Sequence, residues 1–126
     1  MTYQYEIEHS PFFIRVEVFG NRQPEHAVRD ALAVWAAIAE TAESIGQTKV
    51  LYLSHICGSI PVMEAYDVVD QFVNNDWTHL QIAYIDLAHS NEDDLRMLKA
   101  ICFQHEIKFE FFKTEKQGKE WLDNLD

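Results

Sequence analysis

A chain of 126 residues that is 48% hydrophobic and 13% aromatic, with four glycines and three prolines, fits one domain and excludes disorder or a loop-rich secreted scaffold. Its formal net charge of −11 argues against nucleic acid and anionic lipid as partners, because both are recognised through basic patches. No apolar run reaches the roughly 18 residues of a membrane span, and the first residues lack the basic and apolar regions of a secretory signal.

The expectation is therefore a cytoplasmic protein without an integral membrane segment, with peripheral membrane contact left open. Cys57 and Cys102 lie far apart in the sequence, which favours reduced thiols over a disulfide framework. The acids are dispersed, as solubility requires, and form no tail.

Residues 2–8 alternate, with Tyr3, Tyr5 and Ile7 on one side and Gln4, Glu6 and Glu8 on the other, which predicts a half-exposed edge strand. An edge of that kind offers a surface for self-pairing into a homodimer. After a turn at His9-Ser10-Pro11, residues 12–19 alternate again, with Phe12, Ile14, Val16 and Val18 facing one way. The short connection makes an antiparallel hairpin, ended by Gly20-Asn21.

Pro24 opens the longest helix, residues 24–45, whose inner stripe reads Val28, Leu32, Trp35, Ile38, Ala42 and Ile45, and Gly46 is placed to cap it. The central strand, 49–53, contains the unbroken apolar run Val50-Leu51-Tyr52-Leu53 expected of a strand covered on both faces. It runs into a small polar loop and then a helix over 61–73, with Val62, Tyr66, Val69, Phe72 and Val73 inward. Pro61 suits the first turn of that helix.

Residues 80–85 form a fourth strand ending at Asp86. Ser90 and Asp93 occupy capping-box positions before a helix with Leu95, Leu98, Ile101 and Cys102 inward. Residues 107–112 form the fifth strand. Thr114 caps a last short helix whose Trp121, Leu122 and Leu125 can fold back over the sheet. The order β-β-α-β-α-β-α-β-α requires an α/β fold, a single mixed five-stranded sheet with four helices. Its later strands are parallel, and one edge strand is antiparallel.

Residues 100–122, AICFQHEIKFEFFKTEKQGKEWL, resemble the closing helix, strand and helix of SpoIIAA-like (STAS/SEC14-type) domains. Residues 59–72, SIPVMEAYDVVDQF, resemble the helix that these domains place after their third strand. The resemblance implies a non-enzymatic module, since relatives include anti-sigma factor antagonists that bind protein partners under phosphorylation control. It also implies kinship with lipid-carrying SEC14 domains. Ser59 is the counterpart of the antagonists' phosphorylated serine, although their Asp-Ser-Ser-Gly motif is replaced here by Cys57-Gly58-Ser59-Ile60-Pro61.

In open α/β sheets ligands sit beyond the carboxyl ends of the strands, which directs attention to residues 54–62. Ser59 is either a phosphate acceptor, favoured by the helix dipole, or a helix cap. His55 and Cys57 alternate by two and invite a nucleophilic pair or metal ligands with Asp86 and His89, but their spacing matches no zinc pattern. The many aromatic residues serve either as core packing or as the lining of an apolar pocket. Trp77, among polar neighbours, is a lid or a partner contact.

The reading is a binding or regulatory module with no cofactor or metal, docking a protein partner or a small apolar ligand at Ser54, His55, Cys57, Ser59, Pro61, Tyr66, Trp77 and Asp86. The acidic face Glu64, Asp67 and Asp70 would steer a basic partner. A lipid carrier and a thiol/His enzyme are the alternatives.

Overall fold

The first hairpin of the computed structural model, which describes residues 3–125, shows how alternation and turn chemistry divide the work. Strand β1 (Gln4–His9) pairs antiparallel with β2 (Ile14–Asn21), Ile7 standing opposite Val16. Thr2, expected to open the first strand, lies outside the described residues. The second strand begins two residues later than its alternation suggested, because the Ser10 hydroxyl accepts from the Phe12 and Phe13 amides at 3.2 and 3.4 Å and holds both in the turn. Phe12 is consequently exposed, whereas Ile14, Val16 and Val18 are buried as expected.

Helix α1 (Ala27–Ile45) starts after a turn at residues 24–26 and is capped by Gly46. Its buried stripe is Ala27, Asp30, Val34, Trp35, Ile38 and Ala42; Ile45 is exposed and Val28 and Leu32 only half-buried. Apolar residues surround the N-terminal half of this helix, so spacing alone could not choose its inner face there. Helix α2 (Val62–Asn74) likewise buries Ala65, Val69 and Phe72, and leaves Val62, Tyr66 and Val73 exposed.

Strands β3 (Lys49–Cys57), β4 (Gln81–Asp86) and β5 (Lys108–Phe112) alternate with α2, α3 (Glu92–Gln104) and α4 (Glu115–Asp123); β3 runs four residues past its expected end, so Ser54, His55 and Cys57, expected in the loop, are strand residues paired with β2. The cap of α3 is Asn91, one residue beyond Ser90, its side chain accepting from the Asp93 amide at 2.8 Å. Thr114 caps α4 as expected, accepting from Gln117 at 3.3 Å.

The sheet has five strands in the order β1-β2-β3-β4-β5, parallel throughout except for β1. Each crossover steps to the next strand in the same direction. Because such crossovers share one hand, α1, α2 and α3 all fall on one face. Only α4, which follows the last strand, is free to return to the other face, where Leu122 packs on Leu51, Leu53, Ala83 and Ile85.

Val50 through Leu53 thus occupy the middle of the sheet, buried from both sides. Covering is uneven, however, since α4 reaches β3, β4 and β5 and leaves the second face of β1 and β2 without a helix. No helix among the described residues is long and apolar enough to cross a membrane.

One ion pair ties α4 to the far side of this second face. Arg15 Nε of β2 donates to Glu115 Oε2 at 2.9 Å and Nη2 to Oε1 at 3.2 Å. The hydrogen bond from Arg15 holds the Glu115 carboxyl below its ordinary range, with Lys119 assisting. A depressed folded-state pKa gives stability that is present above the unfolded value and lost as pH falls through the folded one. We expect Glu115 to titrate below an exposed glutamate in a carbon-detected NMR pH series, and Arg15→Ala to return it towards about 4.3. An unmoved Glu115 in that variant would show that the pair contributes nothing.

Candidate functional site

Strand alternation aims Tyr52, Ser54 and Ile56 of β3, Ile82 and Tyr84 of β4 and Phe109 of β5 at the face covered by the three helices. Opposite them stand Ala27, Ala31 and Trp35 of α1, Ala65, Val69 and Phe72 of α2, and Leu98 and Cys102 of α3. The alanines are too short to fill the space between helix and sheet. A cavity of about 110 Å³ remains, almost wholly apolar in its walls.

Aromatic rings line it in a continuous run. Trp35 stacks on Tyr52 with centroids 4.9 Å apart, Tyr52 on its register partner Tyr84 at 5.3 Å, and Tyr84 lies 5.8 Å from Phe109. Offset or tilted rings at such distances contribute beyond area burial, by about 0.5–1.5 kcal/mol per pair.

Polar groups gather where the cavity wall is partly exposed, beside the N-termini of α1 and α2. Arg22, from the segment after β2, is ion-paired with Glu64 in the first turn of α2. Its side chain lies across Gly58, where a Cβ would sit 3.1 Å from Arg22 Cδ and where φ is +118°, so the rim has little room for any other residue. The Ile60 amide donates to Asp94 at 3.0 Å, tying the rim to α3.

Tyr3 closes the same end. It is only 6% exposed, and its hydroxyl has no hydrogen-bond partner among the described residues. Burial pushes its phenol up, Arg22 opposes this, and Asp30 and Glu64 add to it. Deeper in, burial raises Tyr52 well above the usual phenol range and Tyr84 to about 12, the nearby Ser54 hydroxyl working against the rise in Tyr84. Burial also raises Cys102 to about 12, so this wall thiol stays protonated at neutral pH.

Of the residues expected at the site, the structure brings Ser54 into the wall and turns most of the others elsewhere. His55 points to the opposite face of the sheet, where its Nε2 lies 2.7 Å from Glu17 Oε2 and its ring stacks on Phe19 at 4.5 Å. Asp86 accepts from the Ala88 and Ser90 amides at 3.3 and 2.9 Å and so shapes its own loop. Cys57 is exposed. The constellation of His55, Cys57 and Asp86 is not assembled, and no cluster of metal-ligating side chains occurs among the described residues.

Ser59 is exposed and caps nothing, because the cap position of α2 belongs to Pro61, whose extended ψ of 143° precedes the helix. Tyr66 is exposed on α2. Trp77 packs edge-on against Phe72 at 5.4 Å, partly buried against the core at the far end of α2 from residues 58–61. Glu64 leaves the acidic outer face for its ion pair, while Asp67 and Asp70 remain exposed on it.

The cavity-lining groups not anticipated are Tyr3, Arg22, Tyr52 and Tyr84, and the buried Asp30 beside Ala31 on α1 was not anticipated either. Asp30 carried a signal, since a carboxylate three residues after Ala27 and four before Val34 falls on the buried stripe. Tyr3 also lay on the inward side of its strand alternation. Arg22 carried none. No protein-family model matches the chain, and no curated protein matches it.

Proposed function

We propose that the protein is a non-enzymatic binding module of the SpoIIAA-like kind, which takes a small, largely apolar molecule into the cavity beneath α1, α2 and α3. The observation that carries this reading is an apolar hollow of about 110 Å³ lined by the aromatic rings of Trp35, Tyr52, Tyr84 and Phe109.

Size decides between ligands. Sites for drug-sized molecules run to about 300–1,000 Å³, and a dry apolar cavity of about 150 Å³ admits benzene. The hollow here favours a molecule of that size or smaller over the acyl chains of a lipid. A protein contact on the same side is the second reading, favoured by Val62, Met63 and Tyr66, which stand exposed beside the rim.

The test is protein-observed NMR and thermal melting with benzene and with butanol. A probe at ten times its Kd adds about 1.4 kcal/mol of stability. Cross-peaks of Tyr52, Tyr84 and Ala31 should shift together with that gain. Ala31→Leu, which fills the hollow, should remove both effects without unfolding the protein, and Met63→Asp should leave both intact. Wild-type protein that responds to neither probe would end the proposal.

A further inference from the structure

A molecule held beneath three helices needs a way in, and the lining of the cavity shows where its wall reaches the surface. Val28 and Ala31 of α1 and Val68 of α2 line it and are only half-buried, so one such place is the seam between these two helices. Arg22 and Glu64, the two charged residues of the lining, bridge that seam as an ion pair with side chains 16% and 19% exposed. Ile60, Tyr84 and Leu98 are half-buried as well, towards α3, and there the closure is the bond from the Ile60 amide to Asp94 at 3.0 Å.

The two closures differ in kind. The one towards α3 is anchored on a backbone amide, so opening it moves the chain. The other joins two side chains alone, one from the segment after β2 and one from the first turn of α2. Side chains change rotamer far faster than helices shift. A partly exposed pair is also rehydrated as it parts, where a fully buried one would leave uncompensated charge. The Arg22 stem rests on Gly58, where a Cβ would stand 3.2 Å from Arg22 Cβ, and Glu64 is the one ion-pair partner of its guanidinium among the described residues.

We propose that the Arg22–Glu64 pair is the latch of the cavity: a ligand enters and leaves between α1 and α2 when these two side chains part. The inference rests on the cavity being a ligand site. The pair is closed whether the cavity is empty or filled, so it cancels from the affinity and acts on both rates alike.

Fluorobenzene, followed by fluorine exchange NMR on the full chain, reads both rates. Arg22→Met keeps the stem on Gly58 and removes the guanidinium; it and Glu64→Ala should each speed association and dissociation about five- to tenfold, with Kd kept within about twofold. Asp94→Ala, which frees Ile60 on the other side, should leave both rates close to wild type. Should a variant fail to fold, wild-type dissociation should still quicken severalfold as added salt shortens the screening length from about 30 to about 3 Å, and a flat response counts against the latch. Faster dissociation with unchanged association, and Kd weakened in proportion, is what lost packing gives and overturns the proposal. Unchanged rates in both variants, or equally fast exchange in Asp94→Ala, overturn it too and leave the cavity a ligand site. Wild-type protein that binds no fluorobenzene overturns both.

Discussion

Gly118→Leu should lower the melting temperature by roughly 10 °C or more. Gly118 is buried on α4 where that helix meets the sheet. A Cβ there would stand 2.4 Å from Ile85 Cδ1, 2.9 Å from Leu51 Cδ1 and 3.4 Å from Ala83 Cβ. Alanine already requires the tips of both Ile85 and Leu51, each fully buried, to shift, a cost offset in part by its advantage of about 1 kcal/mol over glycine within a helix.

Leucine adds three further carbons in the same direction, onto strands that cannot part. Overpacking of this kind costs about 3 kcal/mol at the upper end of its usual range, and more if α4 detaches from Leu51, Leu53, Ala83 and Ile85. Melting curves for Gly118→Ala and Gly118→Leu decide the matter. A leucine variant within 3 °C of the wild type, in the roughly 4 °C per kcal/mol of a domain this size, would mean that α4 does not sit where it is described.

The second large effect has the opposite sign. Asp30→Leu should stabilise the ligand-free protein by about 2 kcal/mol, a gain of roughly 8 °C, because it replaces an unpartnered buried carboxylate by an apolar chain of similar size. What is lost is a contact with the largely exposed Arg29, worth less than about 1 kcal/mol. A carboxylate held for stability would behave in reverse, and a fall in melting temperature on Asp30→Leu would show that role.

Most of the architecture was legible from periodicity and punctuation. The apolar run from Val50 to Leu53, the hairpin, Gly46 and Thr114 each state a local preference that the fold obeys. Boundaries slipped by one to four residues, furthest at β3, which runs on to Cys57, and at the hairpin and α3 a side chain outside the pattern intervened, Ser10 and Asn91 respectively.

The site was less legible for a physical reason. Expecting function beyond the strand ends presumes a crevice where neighbouring crossovers diverge, and in this sheet none do, since every crossover steps the same way. The hollow instead lies under the helices, made by alanines that no pattern singles out, and it draws in Tyr3 and Arg22 from parts of the chain distant in sequence. His55 and Cys57 were paired by their alternation. That alternation held, and it was what turned His55 away from the cavity.

The acids of β1 bear on how copies of the protein behave at high concentration. Gln4, Tyr5, Glu6 and Glu8 are exposed along this outermost strand, and Glu6 already faces Glu17 across the ladder. A second β1 laid against the first would bring carboxylate rows together in either orientation, a penalty paired strands rarely tolerate. Growth of the sheet by edge-to-edge addition is thereby discouraged on that border.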